Sequence, residues 1–329
     1  MKDVKTIAAL LIWAICLNLA ACCPKDQMGS GSDPLGMEGS VSALWTKDGK
    51  LVDDKGKPVT LRGVSTHGIG WFPQYINANA FLSVKKNGGN VIRAAMYTDT
   101  DTGYLHDPHT SMLLMEQAVE NAVALDMYVI ADWHILSDGD PNAHLAEAIT
   151  FFDALASKYR DCPNLIYEIC NEPNGVDWEA IKNYAYAIVP VIRQYSAKAL
   201  IIVGTPGYSY DIEIASKDPL PMEGIMYSFH YYTGEKERFD GLDEAVKSGL
   251  PVFVSEWGMG LDKDGNHALD EGREFAKMLN EKGLSWCAWS LCNKDECYSL
   301  LSPDCTKLGA FTEDDLSDAG LVVWDAMRP

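Results

Sequence analysis

Two glutamates stand at the ends of apolar, strand-like runs. From Asn164 to Pro173 the chain reads Asn-Leu-Ile-Tyr-Glu-Ile-Cys-Asn-Glu-Pro, a buried-strand pattern that closes on polar Asn171-Glu172-Pro173. Pro251 to Gly258, Pro-Val-Phe-Val-Ser-Glu-Trp-Gly, repeats the arrangement and closes on Glu256. In parallel α/β barrels the site is built where strands hand over to loops, so a carboxylate at a strand's C-terminal end is aimed at chemistry. Two carboxylates facing across a cleft are what glycoside hydrolysis uses. One protonates the leaving oxygen and the other attacks carbon or activates water.

The elements that must position them follow in order. Val59 to Ser65, Asn90 to Met96, Met127 to Trp133, Asn164 to Cys170, Ala199 to Gly204, Ile225 to His230, Pro251 to Ser255 and Leu284 to Ser290 make eight strand candidates. Amphipathic segments lie between them: Ser111 to Leu125, Pro141 to Tyr159, Trp178 to Tyr195, and Leu269 to Lys282, which stops at Gly283 where a C-cap glycine belongs. Near the end, Thr312 and Asp315 suit an N-cap region, and Leu316, Ala319 and Val323 share a helical face. Alternating β and α elements predict parallel pairing with right-handed crossovers, and eight of them close a (β/α)₈ TIM barrel; an open doubly wound sheet is the alternative. From Val41 to Pro329 the length suits a single barrel of roughly 250 residues, hence one catalytic domain over 41–329.

Further polar groups fall at the same strand ends: Arg93 and Tyr97, His134, Asn171 with Glu172, His230 with Tyr232, and Trp289. With Leu61-Arg62-Gly63-Val64-Ser65-Thr66-His67-Gly68 and Ser255-Glu256-Trp257-Gly258, this ordered set resembles glycoside hydrolase family 5. Within that family it is similar to the bacterial endoglucanases that cut β-1,4-glucans. The resemblance runs from about Leu51 to about Leu308. It implies a retaining, metal-free, cofactor-free endo-β-1,4-glucanase acting on β-1,4-glucan and cello-oligosaccharides, with Glu172 as acid/base and Glu256 as nucleophile. It further implies that Arg93 keeps Glu256 ionised, that Asn171 bonds the sugar 2-hydroxyl, that Tyr232 bonds the nucleophile, and that His134 and His230 orient the pair. His67, Trp71, Tyr97, Tyr208 and Trp289 are expected to bind substrate. Asn293-Lys294-Asp295-Glu296 matches a loop whose Lys and Glu bond a distal glucose, so Lys294 and Glu296 favour glucan over mannan. At Tyr208 the family's endoglucanases often carry Trp, which offers the leaving sugar a larger face.

Other residues read as structure. Glu168 lies deeper on the strand of Glu172 and is expected to be a paired interior carboxylate. His106 and His109 sit in a polar loop, and Asp262 to Asn266 lacks the glycine and glutamate of a calcium loop, so it reads as a turn. Trp45, Trp286 and Trp324 are expected to pack, while Trp178 either starts a helix or touches substrate. Nine cysteines in an exported chain raise the question of bridges. Cys162 and Cys170 bracket a strand too long for one, and Cys292, Cys297 and Cys305 crowd a loop where a disulfide is expected.

At the N-terminus, Lys2 and Lys5 precede an apolar stretch to Ala21 that suits an export signal over residues 1–21. Leu19-Ala20-Ala21-Cys22 resembles a bacterial lipobox, which implies a lipid on Cys22 and anchorage to a membrane, with plain secretion as the alternative. Residues 22–40, rich in Gly, Ser and Pro, read as a flexible tether. A formal net charge of −20 argues against nucleic-acid and anionic-surface partners. A monomer is expected. Three other functions compete: an endo-β-1,4-mannanase or other β-glucanase with the same two glutamates, a non-catalytic glycan-binding lipoprotein, and a metal hydrolase, for which strand-end His and Asp ligands are too few.

Overall fold

The computed structural model describes residues 41–234, 240–261 and 268–328. The expected export signal, Cys22, the tether and the Asp262 to Asn266 turn lie outside the described residues. An antiparallel hairpin, β1 (Leu44–Lys47) and β2 (Lys50–Asp53), comes first. Eight parallel strands then close on themselves in chain order: β3 (Arg62–Thr66), β4 (Val91–Tyr97), β5 (Tyr128–His134), β6 (Leu165–Glu168), β7 (Ile201–Val203), β8 (Ile225–Tyr232), β9 (Val252–Gly258) and β10 (Ser285–Leu291), the last beside β3. Each of the expected strands is present, and the open sheet is excluded by the closure.

Between and after the strands run α1 (Ala78–Lys86), α2 (Pro108–Ala124), α3 (Leu145–Lys158), α4 (Trp178–Arg193), α5 (Ile212–Lys217), α6 (Asp240–Lys247), α7 (Leu269–Lys282) and α8 (Asp318–Met327). The local chemistry sets their limits. α2 starts at Pro108, before the expected Ser111, because Asp107 accepts the Thr110 amide at 3.0 Å and Pro108 is preset for a first turn. α7 ends on Gly283 with φ of 67°, the left-handed cap a glycine adopts without strain. Thr312 and Asp315 form a reciprocal capping box, as their spacing predicts.

Alternate residues along a strand share a face, so the barrel interior is read in layers. Val91, Ile130, Ile166, Met226, Phe253 and Cys287 form an apolar floor. Leu44 and Leu51 of the hairpin join it, closing the N-terminal mouth. Each fully buried aliphatic or aromatic side chain there contributes about 1.5–3 kcal/mol. Two positions further along the same strands stand Arg93, Asp132, Glu168, Ser228, Ser255 and Trp289, a polar layer resting on that floor.

Strand β9 breaks the alternation. Ser228 of β8 opposes Phe253, but His230 opposes Glu256, so three residues of β9 run against two of β8. A matching shift occurs on the β10 side, where Trp286 opposes Val254 and Ala288 opposes Trp257. This bulge lets the consecutive Ser255 and Glu256 both reach into the barrel, to Glu168 and Arg93. Trp257 turns outward against Phe275 and Trp286.

The expected packing tryptophans are placed as read, with Trp286 and Trp324 buried and Trp45 capping the backbone at Gly224. Trp178 starts α4, is buried, and donates its indole hydrogen to the Asp218 carbonyl at 2.8 Å, so it is structural. The disulfide expected among Cys292, Cys297 and Cys305 is not formed: all six cysteines of the described residues are free thiols. Cys292 Sγ instead lies 3.3 Å from Ser299 Oγ and 3.4 Å from Ser290 Oγ.

Candidate active site

Arg93 is fully buried at the centre of the polar layer, and each of its three nitrogens has oxygen partners. Nε donates to Glu168 Oε2 at 2.6 Å and Nη1 to Glu256 Oε2 at 2.8 Å and Ser65 Oγ at 3.3 Å. Nη2 donates to Asn171 Oδ1 at 2.6 Å and lies 3.0 Å from Asp132 Oδ2. Burial pulls the guanidinium pKa down, but Asp132, Glu168 and Glu256 reverse this and hold it well above its ordinary value. Glu168 answers in kind. Burial would raise it, yet Arg93 first and then the nearby His230 ring bring it to about 2. Asp132 goes the other way, raised first by burial, because Arg93 is divided among three carboxylates and Asp132 Oδ1 has no hydrogen-bond partner.

The two strand-end glutamates meet. One carboxylate oxygen of Glu172, one of Glu256 and a ring nitrogen of His230 all lie within 4.8 Å of one another. Hydrogen bonds within the protein already hold these side chains. Glu256 Oε1 accepts from Tyr232 Oη at 2.7 Å, and its Oε2 from Arg93. Glu172 Oε1 lies 2.9 Å from His230 Nδ1. Tyr232 is held well above its ordinary pKa by burial and by Glu256, so it remains a donor. Glu256 therefore accepts from a guanidinium shared with two other carboxylates and from a hydroxyl, whereas Glu172 is held by the His230 ring.

His134 does not touch either carboxylate. Its pKa is pushed down to about 4, by burial first and then by Arg93, so the ring is neutral. Nδ1–H donates to Asp132 Oδ2 at 2.6 Å, and Nε2 accepts from Asn171 Nδ2 at 3.3 Å. Asn171 Nδ2 also donates to the Ile135 carbonyl at 3.0 Å. The expected orienting role thus divides: His230 contacts Glu172, and His134 sets the amide of Asn171.

Aromatic rings wall the cleft beside these groups. Tyr97 packs between Trp71, at 4.6 Å, and His134, at 4.2 Å. Trp289 lies nearly parallel to His134, with centroids 5.3 Å apart, and 5.1 Å from His67. Its peptide bond to Ser290 is cis. Trp71 is 40% exposed and tied to Asp101 Oδ1 through its indole hydrogen at 3.1 Å, while Trp289 is 6% exposed. His67 Nδ1 accepts from the Gly68 amide at 2.7 Å, which places its hydrogen on Nε2, 3.6 Å from Glu296 Oε1. Burial first, then Lys294, pushes His67 down to about 3. Lys294 and Glu296 pair at 2.6 Å. Tyr208 is exposed in the left-handed region, and its amide donates to the Pro173 carbonyl at 3.1 Å, just past Glu172.

Asp132 and Asp101 carry no sequence expectation, and Ser255 enters only as a motif residue without a role. Asp132 and Ser255 lie inside strand runs next to named residues. The i, i+2 step from Asp132 to His134 was the available signal for the first. Glu168 is the paired interior carboxylate that its depth on the strand predicts.

A closed eight-stranded parallel barrel with two carboxylates at strand ends is the architecture of a glycoside hydrolase, and comparison agrees. Residues 52–295 match the family model described as Cellulase (glycosyl hydrolase family 5). The chain belongs to that family. It is 43% identical over 286 residues to endoglucanase A of Butyrivibrio fibrisolvens, a match covering 84% of this chain and 66% of that one. It is 42% identical over 319 residues to endoglucanase 5 of Pectobacterium carotovorum subsp. carotovorum, covering 92% and 63%. The chain thus spans just under two thirds of the length of these curated relatives. Among solved structures, the catalytic domain of a Thermobifida fusca endoglucanase in complex with cellotetraose superposes with a TM-score of 0.81 at 32% identity, covering 87% of this chain and 97% of that one.

Proposed function

We propose that the protein is a retaining endo-β-1,4-glucanase, with Glu172 as acid/base and Glu256 as nucleophile. The observation that carries this is the spacing of the two carboxylates, one oxygen of each lying within 4.8 Å of the other. Retaining enzymes hold their carboxyls about 5–5.5 Å apart, whereas inverting ones need about 6.5–9.5 Å to admit a water. The partners assign the roles. Glu256, bonded by Arg93 and Tyr232, is held in place for attack on C1. Glu172 delivers a proton to the leaving oxygen, then takes one from the water that hydrolyses the glycosyl ester. Asn171 Nδ2 reaches the 2-hydroxyl by sharing its longer bond, the one to His134 at 3.3 Å.

The cleft supports a β-glucan substrate, since Trp71, Tyr97 and Trp289 offer flat faces to sugar rings and the Lys294–Glu296 pair offers charged hydrogen bonds at their edge. Relatives named as endoglucanases and a structural neighbour holding cellotetraose support the same substrate. Export, a lipid on Cys22 and a monomeric state belong to this proposal and are supported by the sequence of residues 1–40 and the acidic charge. The test is viscosity loss with reducing-end release on soluble substituted cellulose, with β-mannan in parallel and Glu256→Ala as control. Rapid viscosity loss on the cellulose alone is expected, and the Ala variant should be folded and inactive. Cleavage of mannan alone overturns the substrate, and wild-type activity in Glu256→Ala overturns the nucleophile.

A further inference from the structure

Ser255 sits between two groups whose protons matter. Its Oγ is 2.7 Å from Glu168 Oε1, 2.6 Å from Ser228 Oγ and 3.1 Å from His230 Nε2. A hydroxyl has one hydrogen and two lone pairs. Glu168 takes that hydrogen, because a carboxylate bonded to Arg93 at 2.6 Å only accepts. The two remaining contacts therefore fall on the lone pairs of Ser255. Ser228 must donate, and His230 Nε2 must carry a hydrogen. The other ring nitrogen, Nδ1, faces Glu172 Oε1 at 2.9 Å.

We propose that Ser255, backed by Glu168, is a positioning residue that fixes a permanent proton on His230 Nε2, so that the only exchangeable proton of the His230–Glu172 pair lies in the gap between Nδ1 and Oε1. The name acid/base for Glu172 rests on the function proposed above; the tautomer does not. In the first half-reaction the pair's proton leaves through Glu172 for the glycosidic oxygen as the C1–O bond breaks and Glu256 bonds C1. In the second, water adds its hydroxyl to C1, the ester bond to Glu256 breaks, and the water's other proton returns to the pair. The Nε2 proton never moves.

The surroundings favour holding that gap proton. Glu256 and Glu168 face the pair as carboxylates and retain it, Arg93 opposes, Asp132 is itself raised well above its ordinary value, and Tyr97, Tyr232 and His134 face the pair as neutral groups. Burial would lower His230, but Glu256, the nearby Glu168 carboxylate and the bond to Glu172 raise it to about 9. Losing the gap proton sets a bare Nδ1 against a carboxylate. Without the Ser255 acceptor the ring is free to release the Nε2 hydrogen instead and still donate from Nδ1, so the pair gives up a proton more readily.

The experiment compares wild type, Ser255→Ala and Ser255→Thr, the last keeping a hydroxyl. Nitrogen-15 spectra of histidine-labelled protein should show His230 as the Nε2–H form once neutral in wild type and Ser255→Thr, and as the Nδ1–H form in Ser255→Ala. The alkaline limb of kcat on soluble cellulose should fall by about one pH unit in Ser255→Ala, the size of one lost charge-assisted hydrogen bond, and hold in Ser255→Thr. An aryl β-cellobioside whose leaving group needs no proton should show no such shift. A neutral Nδ1–H ring in the wild type overturns the proposal, as does a Ser255→Ala enzyme that is slower at every pH with an unmoved limb. If no β-glycan is cleaved, the spectra still decide the tautomer, and the failure lies with the function.

Discussion

Arg93 meets five oxygens on four other strands or their ends, a reach that the planar guanidinium fork suits. Lysine at this site brings a point charge with three donors, so two of the five acceptors lose their partner. Arg93→Lys should cost about 3–5 kcal/mol in urea unfolding, the range for breaking a buried ion pair, and should lower kcat by releasing Glu256. Loss of activity at unchanged stability contradicts this. The histidines set how stability varies with pH. His67 and His134 are held near 3 and 4 against an ordinary 6.5, so the unfolded chain binds their protons first and stability falls as pH drops from about 6.5 towards 4. Glu168, held at about 2 against 4.5, adds a loss below about 4.5. His230, raised to about 9, stabilises fully below 6.5 and less as pH climbs through 9. The melting temperature should peak near pH 6.5 and fall on both sides, and a flat profile between 6.5 and 4 sinks the assignment of neutral buried rings.

Strands and helices with a clear period were legible in the sequence, because burial on both faces writes continuous apolar runs and burial on one face writes a helical stripe. Glu172 and Glu256 could be found since each closes such a run. Three features were not legible. The hairpin Leu44–Asp53 carries only Leu44, Leu51 and Val52 as buried residues, too few for a pattern. Asp132 looks like any polar residue near a strand end until Arg93 and His134 are seen to share its oxygen. The bulge in β9 has no glycine to mark it, and strict alternation from Phe253 sends Glu256 outward. Close strand contact also leaves a trace in composition. A Cβ on Gly63 would meet the Val91 carbonyl oxygen at 1.8 Å, backbone that cannot swing away. Gly63→Ala should therefore separate β3 from β4 and cost about 1–3 kcal/mol or more, read as a lower urea midpoint. A neutral substitution would mean that the two strands are further apart than they stand here.

The charge of −20 is a property of the whole surface and acts at long range. On a carboxymethylated glucan, enzyme and polymer repel, and salt should lower KM as the screening length shrinks from about 30 Å at 0.01 M to about 8 Å at 0.15 M. On a neutral hydroxyethylated glucan KM should stay level, and equal salt responses on both would remove surface charge as the cause. The polar layer has a further consequence for how the molecule comes apart. Its charges are contributed by β4, β5, β6 and β9, and Arg93 meets Glu256 across 163 residues of chain. A barrel opened at any of these strands leaves ions in the interior without their partners, at several kcal/mol each. Partial barrels are thus poor resting places, long-range closure must be nearly complete before the centre is stable, and the strands should unlock together as one cooperative unit rather than fray from an edge.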